Sequence, residues 1–268
     1  MKRTFLLLLS GLLWVSCERK TAADVYDKPY HDVYRQDPAE NDSTLKANNA
    51  ELTLRPLRVI FTGHPQYALL PMLKVRYYVD GTPYTNDIEY NELSYRNEND
   101  YEELRNKADY YNMHNNIVAG FEAIYGDDLM NISITNNTTG ERKMLFEQPV
   151  RIKNFYYPSP LTDVLANKPI TRQYYMVSCY DEDTNKDGYI NRDDLRRFYL
   201  FSLDGKKIRA LIEKNYGVVG SDYDYVNDLL FVYAYLDSNN NGKIDAKDPK
   251  HIFRIDLKKP ETTSVVYN

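Results

Sequence analysis

Two stretches of this chain, 175–205 and 229–259, match each other without a gap at a constant offset of 54 residues, and this repeat limits the fold more than any other feature. Asp183 aligns with Asp237, Asn185 with Asn239, Gly188 with Gly242, Ile190 with Ile244, and Asp194 with Asp248. A fixed period with preserved polarity marks a repeated supersecondary unit. Each copy opens with an apolar run, 174–180 or 229–236, and closes with another. In the second closing run His251, Phe253, Ile255 and Leu257 alternate with Ile252, Arg254 and Asp256, which is the period of a strand. The matching face in the first copy is Arg197, Tyr199, Phe201 and Leu203. Each unit therefore reads as strand, polar loop, strand. A polar turn follows, and then a further strand is expected around 207–212 and 263–267.

The polar loops carry the chemistry. A twelve-residue loop that curls around a hard cation places oxygen ligands at positions 1, 3, 5, 7, 9 and 12, with Gly at 6 to permit the left-handed backbone. Loop one puts Asp183, Asn185, Asp187, Tyr189, Asn191 and Asp194 on that template, with Gly188 at position 6. Loop two puts Asp237, Asn239, Asn241, Lys243, Asp245 and Asp248 there, with Gly242 at position 6. Tyr189 and Lys243 serve through their carbonyls, because position 7 offers its backbone. Ile190 and Ile244 take position 8, the apolar anchor. A register starting at Asp181 would put Lys186 at the glycine position and is rejected. The expectation is two calcium ions, one per loop, with a structural role. Sensing needs a helix pair that opens, and these flanks read as strands. The pattern resembles EF-hand loops and, in loop one, dockerin calcium loops, although dockerins space their copies more closely and follow them with helices. Position 12 is Asp rather than the Glu of regulatory EF-hands.

Tyrosine is abundant (26) and glycine scarce (11), a balance that leans toward strands. A loop-free relative of the repeat is read over 117–146, as three strands joined by two turns. Residues 98–111 carry Tyr101, Leu104, Ala108 and Tyr111 at helical spacing and read as one short surface helix. The runs 57–62 and 74–79 supply further strands. Antiparallel units of this length are similar to propeller blades. The segments "FYLFSLDGKKIRALI" and "NISITNNTTGERKMLF" resemble TolB-type blade ends. The expected fold is mainly β, antiparallel and multi-sheet, with propeller-like blades and calcium loops inserted in hairpins. The alternative is an open stack of sheets or a sandwich.

Export is read from the beginning of the chain. Met1-Lys2-Arg3 precedes an apolar run over 5–15. Some eleven apolar positions give roughly 16 Å of helix, too short for a ~30 Å hydrocarbon core. The run ends Trp14-Val15-Ser16-Cys17 and resembles a bacterial lipoprotein signal, in which Cys17 becomes the acylated first residue. That implies a lipid anchor at Cys17 and a place in the bacterial cell envelope, at the outer membrane. Residues 18–50 read as a flexible tether and 51–268 as one β domain. The second cysteine, Cys179, lies in an apolar run and reads as a small buried hydrophobe.

The net charge of −5 and the lack of any dense Lys/Arg stripe exclude nucleic acid as a partner. The four histidines, His31, His64, His114 and His251, have no metal-ligand spacing. No catalytic motif is present. The chain reads as a non-enzymatic binding or scaffold module for an envelope protein or glycan. The alternative is a glycan- or peptide-processing hydrolase with dispersed carboxylates some 5–9.5 Å apart. The overall pattern resembles envelope lipoproteins that carry paired calcium loops in β-hairpins.

Overall fold

The computed structural model describes residues 45–47, 52–77, 81–85, 89–91, 118–126 and 128–268. They form strands and connections, with no helix among them. The helix read over 98–111 lies outside the described residues, as do the export segment and Cys17.

In chain order, β1 (Leu45–Lys46) is followed by β2 (Leu54–Pro56), β3 (Ile60–Phe61) and β4 (Tyr67–Lys74), then by a small ribbon of β5 (Arg76–Tyr77) and β6 (Pro83–Tyr84). Next come β7 (Glu89–Asn91), β8 (Phe121–Tyr125), β9 (Leu129–Asn136), β10 (Arg142–Met144) and β11 (Arg151–Pro158). A second ribbon, β12 (Asp163–Leu165) and β13 (Lys168–Ile170), precedes β14 (Tyr174–Tyr180), β15 (Tyr189–Ile190), β16 (Arg197–Ser202) and β17 (Lys207–Ala210). The chain ends in β18 (Tyr216–Asp224), β19 (Leu229–Leu236), β20 (Lys250–Asp256) and β21 (Thr263–Tyr267).

Three antiparallel sheets carry the mass. The first runs β10-β9-β4-β2, with β3 also beside β4. The second runs β17-β16-β14-β11-β8-β7, and the third is the meander β18-β19-β20-β21. Two cores glue them. One joins Leu69, Ile132 and Phe146 of the first sheet region to Phe155, Tyr175, Val177 and Tyr199 of the second. The other joins Tyr156, Met176, Phe198 and Leu200 of the second to Leu230, Val232, Phe253 and Ile255 of the third. The second sheet is thus the middle layer, with side chains of alternate parity facing opposite cores.

That layering explains the sequence. A strand covered on both faces needs no polar alternation. Residues 174–179 and 197–201 are accordingly buried throughout. A strand with one covered face alternates. In β19, Leu230, Val232 and Ala234 are buried while their neighbours are half-buried. The face read from the second repeat holds, since Phe253, Ile255 and Leu257 all enter the core.

One expectation is corrected. The stretch 117–146 is not one three-stranded unit. β8 joins the middle sheet beside β11, whereas β9 and β10 belong to the first sheet. Four of the five residues of β8 are buried, and such a strand belongs where both faces are covered. The mainly β, antiparallel, multi-sheet expectation holds, while the three main sheets of the described strands do not by themselves close a propeller, which takes four blades or more. What is seen is a stack of antiparallel sheets.

The run 67–74 forms β4 although Pro71 sits in it. Proline removes a ladder donor. Here β4 pairs with β2 through 72–74 and with β3 through 68–69, so the partner strand is interrupted beside Pro71. Its carbonyl still accepts Leu57 N at 3.0 Å. A residue's N and O point to the same side of a strand, so the missing N–H faces that interruption.

Candidate metal centres in two paired loops

Each loop bridges the strands of a hairpin, β14 to β16 and β19 to β20. Loop one closes on Asp183, whose Oδ1 accepts Asp187 N at 3.1 Å and whose Oδ2 accepts Gly188 N at 2.9 Å. Asn185 Oδ1 accepts Asp187 N at 2.9 Å, and Asp187 Oδ1 accepts Tyr189 N at 2.9 Å. Loop two repeats each bond. Asp237 accepts Asn241 N at 3.0 Å and Gly242 N at 2.9 Å. Asn239 Oδ1 accepts Asn241 N at 3.0 Å, and Asn241 Oδ1 accepts Lys243 N at 2.8 Å. Both loops turn left-handed at the same two steps. Position 4 has φ of 61° at Lys186 and 56° at Asn240, and position 6 has 89° at Gly188 and 74° at Gly242.

The last four residues of each loop form a reciprocal turn. Asn191 Oδ1 accepts Asp193 N at 2.6 Å, while Asp194 Oδ2 accepts Asn191 N at 2.8 Å. Asp245 Oδ1 accepts Lys247 N at 2.8 Å, and Asp248 Oδ2 accepts Asp245 N at 2.9 Å. This is a capping box, the arrangement that begins a helix. Here a single turn forms and the chain then enters a strand.

The position-12 carboxylates are buried, Asp194 at 2% exposure and Asp248 at 6%. Burial pushes the Asp194 carboxyl up from its usual range, against the backbone N–H donors that pull it down. Its Oδ1 already takes Thr184 N at 2.8 Å and Asn185 N at 3.2 Å. Its Oδ2 accepts Asn191 N alone, at 2.8 Å, so the second lone pair of Oδ2 is the position left for a cation, and Asp194 fits as a one-oxygen ligand. Asp245 behaves oppositely. Lys247 N, then the Asn239 and Asn241 amides, hold its carboxyl below the usual range. Its Oδ2 lies 2.9 Å from Asn239 Nδ2 and 3.1 Å from Asn241 Nδ2, so positions 3, 5 and 9 of loop two converge.

All twelve template residues thus lie in two ordered loops of matching geometry. Among the described residues, no three His, Cys, Asp or Glu side chains form a metal-holding group by themselves. The donor set is mixed: three carboxylates per loop, with asparagine amides and backbone carbonyls making up the rest. Oxygen-only sets of this kind suit hard cations such as calcium. Among the described residues no Lys or Arg forms an ion pair with any of the six loop carboxylates.

The loops touch each other. Thr184 Oγ donates to Gly242 O at 2.6 Å and accepts Leu195 N at 2.9 Å. A Cβ on Gly242 would stand 1.9 Å from Thr184 O. Sequence reading missed Thr184 and its repeat mate Ser238, whose Oγ lies 3.0 Å from Asp248 Oδ1. The signal was present, since both copies carry a hydroxyl at position 2. It also missed β1. Leu45 pairs with Ile190 and Lys46 with Tyr189, and Ala47 N donates to Gly188 O at 3.1 Å. The chain therefore joins the fold at Leu45, inside the stretch read as tether.

Other candidate groups have structural partners. His64 Nε2 lies 2.7 Å from Arg172 O, and His251 Nδ1 lies 2.8 Å from Tyr216 Oη. Cys179 is fully buried, and burial pushes its thiol well above the usual range. Asn131, which begins an Asn-Ile-Ser triplet, is buried and donates to Phe146 O at 2.9 Å. Two buried Arg–Asp pairs pin the sheets: Arg76 with Asp128, and Arg172 with Asp228.

No family model matches the chain, and no curated protein matches it. Among solved structures, one chain of a nidogen–laminin complex is 12% identical over 78% of this chain, with a TM-score of 0.29. The present chain spans 64% of that chain's length. A eukaryotic initiation factor structure is 10% identical over 80% of this chain and 67% of its own, with a TM-score of 0.18. Likeness this weak defines neither fold nor function.

Proposed function

We propose that the chain is a calcium-stabilised, non-enzymatic binding or scaffold module of a bacterial cell envelope, held to the outer membrane by lipid on Cys17. The observation that carries the calcium reading is the pair of loops itself. Six carboxylates without a basic ion-pair partner among the described residues sit in two loops whose hydrogen bonds agree position by position. Asx-rich hairpin turns alone account for some of these bonds. They do not account for a recurrent glycine and a buried acid at fixed steps. Calcium would neutralise the charge of each loop and fix the ends of two hairpins, one in the middle sheet and one in the third.

The test is thermal and chemical unfolding of the purified protein in chelator and in millimolar calcium. At ~100 times Kd each site adds about 2.7 kcal/mol to stability. Unfolding that is the same in both buffers removes the calcium reading. The anchor is tested separately by fatty-acid labelling, which Cys17→Ala should abolish, releasing the protein from the membrane fraction. The hydrolase alternative is tested by assaying the purified protein for turnover of polysaccharide and peptide substrates.

A further inference from the structure

The face of the middle sheet that meets the third sheet is apolar along most of its length, through Tyr156, Met176, Phe198 and Leu200. At one end the pattern breaks. Asn154 and Ser178 occupy paired positions there and are 9% and 7% exposed. Buried polar groups on a core face are the informative exception. The third sheet answers with a bulge between Val218 and Gly220, then Ser221. The two sheets leave a cleft of about 270 Å³ at this end.

Charge in the cleft is one-sided. Among the described residues Lys153 and Arg196 line it and no Asp or Glu does, in a chain with more acids than bases. Arg196 is half-buried and locked in place. Its Nε donates to Val218 O at 2.7 Å, while its carbonyl accepts Val218 N at 2.9 Å. No carboxylate pairs with it among the described residues, so its Nη donors have no protein acceptor. The Ser178 hydroxyl, nine-tenths buried, also has no partner among the described residues. Burial pushes the Tyr156 phenol up to about 12, against the lowering effect of nearby Arg196 and Ser221, which keeps it neutral.

We propose that this cleft binds a small organic carboxylate of about monosaccharide size, its carboxylate held by the Arg196 guanidinium and the Ser178 hydroxyl and its body against Phe198 and Tyr156. A planar guanidinium fork matches a carboxylate in two-point contact. The apolar wall of Phe198, Val218 and Val232 favours a carbon skeleton over a bare inorganic anion. The volume, near the lower bound for ligand sites, admits one small molecule. This deepens the binding-module reading and does not depend on the loops, so its failure leaves the calcium experiment untouched.

The test is ligand-observed NMR and calorimetry on the whole protein in calcium buffer, with glucuronate, lactate, glucose and inorganic phosphate as probes. At least one of the two carboxylates should bind, and Arg196→Gln should weaken it by about tenfold or more, as expected for loss of a charge-assisted pair. Glucose should bind glucuronate's site far more weakly than glucuronate does. If Arg196→Gln fails to fold by circular dichroism, Ser221→Leu keeps the guanidinium and fills the cleft, and it should abolish binding. Four results would overturn the proposal: no binding of either carboxylate at high millimolar concentration, equal binding of glucose and glucuronate, tighter binding of phosphate than of both carboxylates, or undiminished binding to the variant tested.

Discussion

The two loops share their internal bonds and differ in what surrounds them. Loop one hangs from the middle sheet, whose strands are covered on both faces. Its outer rim is finished by the short strand β1. Loop two hangs from the third sheet, and its Ile244 packs against Gly217 and the Thr184 side of loop one packs against its glycine. The strand register differs as well. In the first copy Val177 pairs with Tyr199, so the 54-residue offset would pair Phe231 with Phe253. In the structure Val232 pairs with Phe253. The slip of one residue sends Val232 inward and Phe231 outward, which matters only where a single face is buried. A motif can thus be copied intact while burial retunes the strands that carry it.

The largest expected contrast is between the glycines. Gly188 has nothing within 4 Å of a would-be Cβ, so Gly188→Ala should cost only the left-handed backbone penalty, about 1–2 kcal/mol. Gly242→Ala adds a collision with the backbone of Thr184 and should cost about 3 kcal/mol or more. Urea unfolding of both variants checks this, and equal losses would mean that the loops do not interlock. Next comes Leu45→Ala. Leu45 is 1% exposed and paired to loop one, so about 2 kcal/mol should be lost. Calcium affinity should fall in loop one and hold in loop two, as resolved by calorimetry. Thr184→Val is smaller. It removes the hydroxyl that spans Leu195 N and Gly242 O and should cost about 1–2 kcal/mol. Ser238→Val has no cross-loop bond to lose, so the difference between these two variants measures the contact between the loops.

The β character and the loops were legible because both rest on local chemistry. Alternation at Phe253, Ile255 and Leu257 and the spacing of Asp, Asn and Gly need no distant partner to be read. The strands β17 at Lys207–Ala210 and β21 at Thr263–Tyr267 lie where the turns predicted them. Layering was not legible, because a run such as 174–180 shows that both faces are covered and not by what. The same limit joined β8 to β9, since a short turn between apolar runs reads as a hairpin whether the chain stays in its sheet or crosses to another. Leu45 was beyond reach. A two-residue strand has no period, and its partner Ile190 lies far along the chain. The Arg196 cleft was hidden for a related reason, since Asn154 and Ser178 come from β11 and β14 and Arg196 from the connection just before β16, and only the fold brings them together.

The smallest perturbation separates the loops without disturbing the fold. Tyr189 takes position 7 of loop one, where loop two has Lys243. Its side chain is 40% exposed, so Tyr189→Phe should change stability by no more than about 0.5 kcal/mol. Terbium has calcium's preference for oxygen ligands and emits when an adjacent phenol passes it energy. A terbium ion in loop one would lie beside Tyr189, whose carbonyl is among its expected ligands. Tyr189→Phe should therefore remove most of the sensitised emission while calorimetry still counts two ions bound. Emission that survives the substitution would place the sensitised ion elsewhere and leave loop one without its cation. Lost emission with undiminished binding assigns one ion to loop one, and the second is then tested at loop two by Asp245→Ala.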